Sequence, residues 1–188
     1  MRADAEANRR RVLDAAEEVF VEQGTDASTE EVARRAGVGV GTVFRHFPTK
    51  RDLVESALLS RFDELTAQAQ AAESEPDATT ALFNLIATLV EHVPGKLALG
   101  HYLFGAERWS GPAKQASIEL GAVIERALRR AQESGGVRDD IDVDELVFLI
   151  RGLAEPRMPG PTPDAARQRA RQVVFDGLRR PHRPPIAP

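Results

Sequence analysis

The stretch from Ser28 to Lys50, STEEVARRAGVGVGTVFRHFPTK, constrains the fold more than any other part of the chain. It has room for two short helices, and its punctuation forbids anything longer. Ser28 can cap a helix from about Thr29 to Ala36, and Glu31 three residues on completes a capping box. Gly37 ends that helix, because a left-handed backbone is cheapest at glycine. A second helix, from about Val40 to His46, is stopped by Pro48. So short a helix is not stable alone. It must be braced by the apolar helix that ends at Gly24 and by the one that Thr49 and Asp52 open. Val32, Val38 and Val43 can fill the space between, and small Ala33 lets the two helices approach closely.

The rest of the pattern is also helical. Val12, Ala16, Val19 and Phe20 recur at helical spacing before Gly24. A long helix from Thr49 to about Ala71 carries Leu53, Ala57, Leu58, Phe62 and Leu65. Ala71 to Asp77 reads as a polar connector. Ala81 to Val90 is strongly apolar, Pro94-Gly95 is expected to interrupt it, and Lys96 to Ala106 follows. Gly111-Pro112 opens a helix to about Ser134, where Gly135-Gly136 stops it. Asp142 can cap the next, and after a proline-rich break from Pro156 to Pro163 a last helix runs from about Thr162 to Arg180. No segment alternates with period two. The expectation is an all-α chain: a three-helix helix-turn-helix domain at 1–50, homeodomain-like, then a helical bundle at 51–188, to which the resemblance described below assigns ligand binding and dimerisation.

Composition narrows the function. The chain has 188 residues, no cysteine and a net charge of -4. That excludes thiol chemistry and a Cys-ligated zinc site. Any DNA binding must rest on a local positive surface of an acidic molecule. No run approaches the roughly 18 apolar residues of a membrane span, so the expected setting is cytoplasmic, with no membrane partner. An all-helical enzyme finds no support: H-E-x-x-H, G-x-S-x-G and phosphate-binding glycine loops are all missing. Glu17-Glu18 and Glu30-Glu31 are adjacent on helices and point apart. No cofactor is called for. His46 has no second ligand at i+3 or i+4, so it is not a metal site.

An exposed, braced helix suits a DNA major groove about 12 Å wide. Residues Arg9 to Leu59 resemble the DNA-binding domain of the TetR (tetracycline-repressor-like) family. The resemblance rests on a set: the apolar first helix ending in Gly24, Thr29-x-x-Val32-Ala33, Ala36-Gly37-Val38, Gly41-Thr42-Val43-Phe44-x-His46-Phe47, then Lys50 and Leu53. Farther on it is one of pattern only, with a Gly-x-Val-Arg-x-Asp-x-Asp turn at Gly135 to Asp142. The resemblance implies a dimeric regulator of transcription, usually a repressor, that binds double-stranded DNA and responds to a small-molecule effector.

Each candidate DNA-binding residue has a chemistry. Thr29 can give its hydroxyl to a phosphate or serve as a second capping hydroxyl. Thr42 can meet a thymine methyl or a phosphate. Arg45 can pair bidentately with guanine, grip a phosphate or only solvate the helix. His46 and Lys50 resemble the family's phosphate contacts, and Lys50 sits at a helix N-terminus, where anions are favoured. Phe44 departs from the family's usual tyrosine and cannot hydrogen-bond a phosphate. With Val40 and Gly41 it suggests readout through thymine methyls, close backbone approach and DNA shape. Loss of DNA binding, leaving a helical adaptor, is the alternative these residues keep open. Arg9, Arg10 and Arg11 can reach the DNA backbone or form a solvated basic end.

For the effector half, Phe83, His92, His101, Tyr102, Phe104, Trp109, Phe148 and Arg151 mix aromatic and polar groups as ligand pockets do. An ordinary core accounts for them equally well. Leu146, Val147, Ile150, Ala170, Val173, Val174, Gly177 and Leu178 are the expected dimer seam, since the family's corresponding helix pair forms a four-helix bundle with its twin. Ligand would then shift the long helix from Thr49 and change the spacing of the recognition helices.

Overall fold

Hydrogen bonds at the helix ends decide where this chain turns. The structure, a computed structural model, describes residues 2–104, 111–154 and 164–180. Among these residues the helices are α1 (Arg2–Gln23), α2 (Thr29–Ala36), α3 (Val40–His46), α4 (Lys50–Ala72), α5 (Ala78–Phe104), α6 (Gly111–Glu133), α7 (Val143–Ala154) and α8 (Asp164–Leu178). A 3₁₀ turn at Gly24–Asp26 joins α1 to α2. No described helix is long and apolar enough to cross a membrane.

The Ser28 hydroxyl accepts from the Glu31 amide at 3.1 Å and starts α2. The return half of the expected capping box is missing. The Glu31 carboxylate turns instead to Arg34, which donates to it at 2.9 and 2.5 Å. Complete boxes occur at Thr49/Asp52, with both bonds at 3.0 Å, and at Asp142/Glu145, at 3.0 and 2.9 Å. Gly37 adopts φ +67. Its N–H reaches the Arg34 carbonyl, and the next amide, Val38, reaches that of Ala33. This 6→1 and 5→2 pair closes α2 and aims the chain into α3. Gly37→Ala should therefore destabilise the fold by about 1–2 kcal/mol, the cost of a side chain in the left-handed region. A lower urea midpoint at unchanged slope would report it.

Chain contacts divide the molecule into two units, one of residues 1–65 and 92–119, the other of 66–91 and 120–188. α4, α5 and α6 each have residues in both units. In the first unit, Val12, Val19, Phe20, Val32, Val43, Phe47, Leu53, Leu58, Phe62 and Leu65 are buried almost completely. The expected periodicity of α1 and α4 thus falls on the core.

In the second unit Leu82, Ile86, Leu89, Leu120, Val123, Leu128, Val137 and Leu146 are buried. Arg130 donates to the carbonyls of Ala72 and Glu75, satisfying the end of α4. Gly136 lies so close to Thr79 that a Cβ would sit 1.8 Å from its hydroxyl. The turn after α6 is pinned to the end of α8 by Arg138 N–H to Leu178 O at 2.9 Å and by a bridge between Val137 and Arg179.

One expected break is not there. α5 continues through Pro94-Gly95 to Phe104. Proline removes one helical hydrogen bond, at a cost of about 3 kcal/mol. The buried residues on either side, Leu85, Ile86 and Leu89 before it and Leu99 and Leu103 after it, offset that, since each contributes about 1.5–3 kcal/mol when buried.

Candidate DNA-binding face

Helix α3 has one inward side and one outward side. Val43 is fully buried, and Phe47, one turn on, is 2% exposed. These two hold the short helix against the first unit. Val40 and Phe44, also one turn apart, are exposed by 40% and 43%. Gly41, Arg45 and His46 are exposed, and Thr42 is half-buried. The exposed surface is therefore Gly41 and Arg45 on the side opposite Val43, flanked by Val40, Phe44 and His46. The helix begins at Gly39, which has no capping side chain, so nothing bulky stands at its entrance.

Charge is sorted around this face. Arg35 on α2 donates to Glu22 at 2.7 and 3.0 Å and to Glu18 at 3.3 Å, tying α2 to α1. The Arg35 guanidinium holds the Glu22 carboxyl below the usual carboxylate range, and Arg34 does the same to Glu31. Arg10 pairs with Glu64 at 3.1 Å, and Arg11 donates to Asn8. These cations are spent inside the chain. Among the described residues, Arg45 makes no hydrogen bond or ion pair and Arg9 has no carboxylate partner, its guanidinium resting over the Phe47 ring at 5.4 Å. Among the described residues around α3, Arg45 and Arg9 are therefore open to an anionic ligand, and His46, whose ring leans on Phe47, is exposed beside them.

Two of the sequence-chosen positions behave differently. Thr29 is 7% exposed, so most of its side chain lies within the fold. Lys50 is half-buried, and its ammonium donates to the Thr25 carbonyl at 3.2 Å. Helix spacing alone did not foretell that contact, because Thr25 is far away in sequence.

The aromatic set of the effector half has members in each of the two units. In the first unit His92 is half-buried, His101 is exposed, and Tyr102 meets the Phe20 ring edge to face at 5.0 Å. In the second unit Phe83 is buried and stacks on Phe175 at 4.9 Å, with the Arg179 guanidinium 4.8 Å from its centroid. Phe148 is 76% exposed and Arg151 is exposed too. Trp109 and the side chain of Phe104 lie outside the described residues. The sequence reading missed Phe175 and Phe20 as ring partners. Phe148, grouped there with the candidate pocket residues, is exposed on α7 while Leu146 is buried. Phe148 falls two residues after Leu146, about 200° round a helix, so spacing did hold that signal.

The expected dimer seam splits into two sets. Leu146, Ile150 and Leu178 are at most 3% exposed in the single chain, so its own core takes up their surface. Val173 is 71% exposed, Ala170 and Gly177 are exposed, and Val147 and Val174 are half-buried.

Comparison with known proteins adds family evidence. A model described as bacterial regulatory proteins of the tetR family matches residues 12–57. A second, described as the C-terminal domain of SbtR-like transcriptional regulators, matches residues 77–180. The HTH-type transcriptional regulator SrpR of Pseudomonas putida is 29% identical over 156 residues, 80% of this chain and 73% of that protein. A solved TetR transcription regulatory protein from Mycobacterium vanbaalenii is 33% identical with a TM-score of 0.75, over 95% of this chain and 98% of that one. A TetR transcriptional regulator from Streptomyces coelicolor is 26% identical with a TM-score of 0.73, over 92% and 99%.

Proposed function

This chain belongs to the TetR family of bacterial transcriptional regulators, and on that premise we propose that it is a homodimeric repressor, released from a palindromic operator by a small-molecule effector. It is a helix-turn-helix DNA-binding protein of a regulator family, not of an enzyme family. The observation that carries the finer reading is the outward face of α3, with Val40 and Phe44 exposed and Arg45 unpaired above the buried brace of Val43 and Phe47. In a major groove the two apolar side chains meet thymine methyls, and Arg45 is the one long donor on the helix that can reach guanine. His46 and Arg9 meet phosphates, and Thr42 meets a phosphate or a thymine methyl.

The exposed and half-buried part of α7 and α8, Val147, Phe148, Ala170, Val173, Val174 and Gly177, pairs with the same surface of a second copy. Symmetry then sets two recognition helices on one operator. The effector binds the helices after α4, and its preference for the non-binding state lowers operator affinity, typically by 1–3 kcal/mol of coupling. Acting on its operator, the protein works in the cytoplasm.

Selection of bound duplexes from a random pool tests this reading. A two-fold symmetric site rich in thymine is expected. Replacing those thymines with uracil, which removes only the methyls, should weaken binding at unchanged salt dependence. Arg45→Ala should cost about 1–3 kcal/mol and relax the preference at one position of each half-site. Strict guanine readout that survives Arg45→Ala would contradict the assignment, and no bound duplex at all would remove the regulator reading itself.

A further inference from the structure

Helices α7 and α8 carry one exposed pattern in opposite senses. On α7, Phe148 is 76% exposed, with exposed Asp144 four residues before it and exposed Arg151 three residues after it. On α8, Val173 is 71% exposed, with exposed Arg169 four residues before it and exposed Asp176 three residues after it. Residues at these offsets share a helix face. Each face thus has an apolar centre between opposite charges about 10 Å apart along the axis.

The chain lays the end of α8 beside the start of α7. The Arg138 amide donates to the Leu178 carbonyl at 2.9 Å, its guanidinium to that of Gly177 at 3.3 Å, and the Arg180 amide to that of Gly136 at 3.3 Å. Residues 136–138 lead directly into α7 (Val143–Ala154). Asp144 and Asp176 therefore mark one end of the surface, and Arg151 and Arg169 mark the other. All four belong to the second unit. Neighbouring charges at the acidic end are already matched: Asp139 pairs with Arg180 at 3.6 Å and Asp140 with Arg138 at 2.5 Å, while the Glu145 carboxylate accepts from the Asp142 amide. At the basic end Asp164 and Arg167 add one charge of each sign. Asp176 accepts only from Gln172, at 2.8 Å. Asp144, Arg151 and Arg169 make no hydrogen bond or ion pair among the described residues.

A two-fold mate can cover this surface in two orders. With like ends together, carboxylate meets carboxylate and guanidinium meets guanidinium. With the ends reversed, each acidic end meets a basic end, twice by symmetry, and the Phe148 and Val173 side chains of both copies share the centre. Reversed order covers the apolar centre without the cost of like charges in contact.

We propose that Asp144, Asp176, Arg151 and Arg169 form a charge register that selects a second copy of this chain in reversed order. This rests on the homodimer reading above and adds what chooses the partner. A related chain that lacks this order of charges makes a poorer mate.

The test exchanges all four charges in the full-length chain, as Asp144→Arg, Asp176→Arg, Arg151→Glu and Arg169→Glu together. That chain still offers opposite ends to itself, but like ends to the wild type. Wild type and exchanged chain, co-expressed with tags of different mass, are counted by native mass spectrometry. Two homodimers are expected, with the mixed dimer at least about 10-fold below its statistical share, because several exposed pairs turn repulsive at once. A second pair of variants carries half the exchange each. Arg151→Glu with Arg169→Glu makes both ends acidic and should weaken its own dimer by about 5- to 100-fold, less as salt rises. Asp144→Arg with Asp176→Arg makes both ends basic and should do the same, and the two half-exchanged chains should pair tightly with each other. If the fourfold chain fails to fold, these two decide, and any result other than weak alone and tight together overturns the register. Free mixing of the exchanged chain with a dimeric wild type would overturn the register and leave the dimer standing. A preferred mixed dimer would mean that like ends meet, which also overturns it. A monomeric wild type would remove the dimer reading and the register with it.

Discussion

Phe148→Asp combined with Val173→Asp should convert the protein to a monomer and abolish tight operator binding. Phe148 is 76% and Val173 71% exposed on α7 and α8. Large apolar side chains left that open, beside small Ala170 and Gly177, form a surface that calls for a cover. In a two-fold dimer each side chain counts twice. Covering a Phe or Val contributes about 1.5–3 kcal/mol, so Phe148 alone accounts for roughly 3–6 kcal/mol of association. Removing it weakens the dimer by roughly 10² to 10⁴-fold, and the introduced carboxylates add desolvation and like-charge repulsion. The core should not suffer, because Leu146, Ile150 and Leu178 face the other way and remain buried. Sedimentation velocity reads the mass, and gel shift on the whole palindrome against one half-site reads the DNA consequence. A variant that stays dimeric would show that the twin docks elsewhere.

Short-range chemistry explains how much of this molecule can be read from its sequence. The caps at Ser28, Thr49 and Asp142, and the stop at Gly37, act within four residues, so the bounds of α2, α3, α4 and α7 follow from local pattern. The brace under α3 was legible too, because Val43 and the apolar stripe of α1 point inward by period alone. What was not legible depends on residues far apart in the chain. The bond from the Lys50 ammonium to the Thr25 carbonyl and its place beside the Tyr102 ring have no local signal. Pro94 reads as a break, but the burial of Leu89 and Leu99 around it outweighs the lost hydrogen bond. Phe83 looks like a pocket lining, but its ring is taken by Phe175. Glu31 reads as half of a capping box, but Arg34 captures it. In each case a tertiary partner overrides a local rule.

Arg61→Met should destabilise the first unit by about 2–4 kcal/mol at neutral pH, and the loss should shrink as the solution is acidified. Arg61 donates to Glu17 through Nε at 2.6 Å and through Nη2, and to Glu64 through Nη1 at 2.9 Å. The Arg61 and Glu17 side chains keep only 15% and 13% of their exposure. Removing one partner of so enclosed a pair leaves the other as an uncompensated charge, which costs far more than breaking a surface pair. Methionine retains most of the stem, so the packing loss is small.

The pH dependence follows from Glu17. Burial pushes its carboxyl above the ordinary value of 4.5, and Arg61 pulls against that without winning. A carboxyl raised in the folded state contributes stability that is fully present below its unfolded pKa and is lost as pH rises through the folded one. Without Arg61 the folded value climbs further, and that loss deepens towards neutrality. Acidification restores the proton to Glu17. Asp14, raised by burial and by Glu64 beside it, adds to the trend. Urea unfolding at pH 7.5 and pH 5 reads the difference. A deficit that is constant, or that grows on acidification, would mean that Arg61 stabilises the unit through its packing and not by neutralising Glu17.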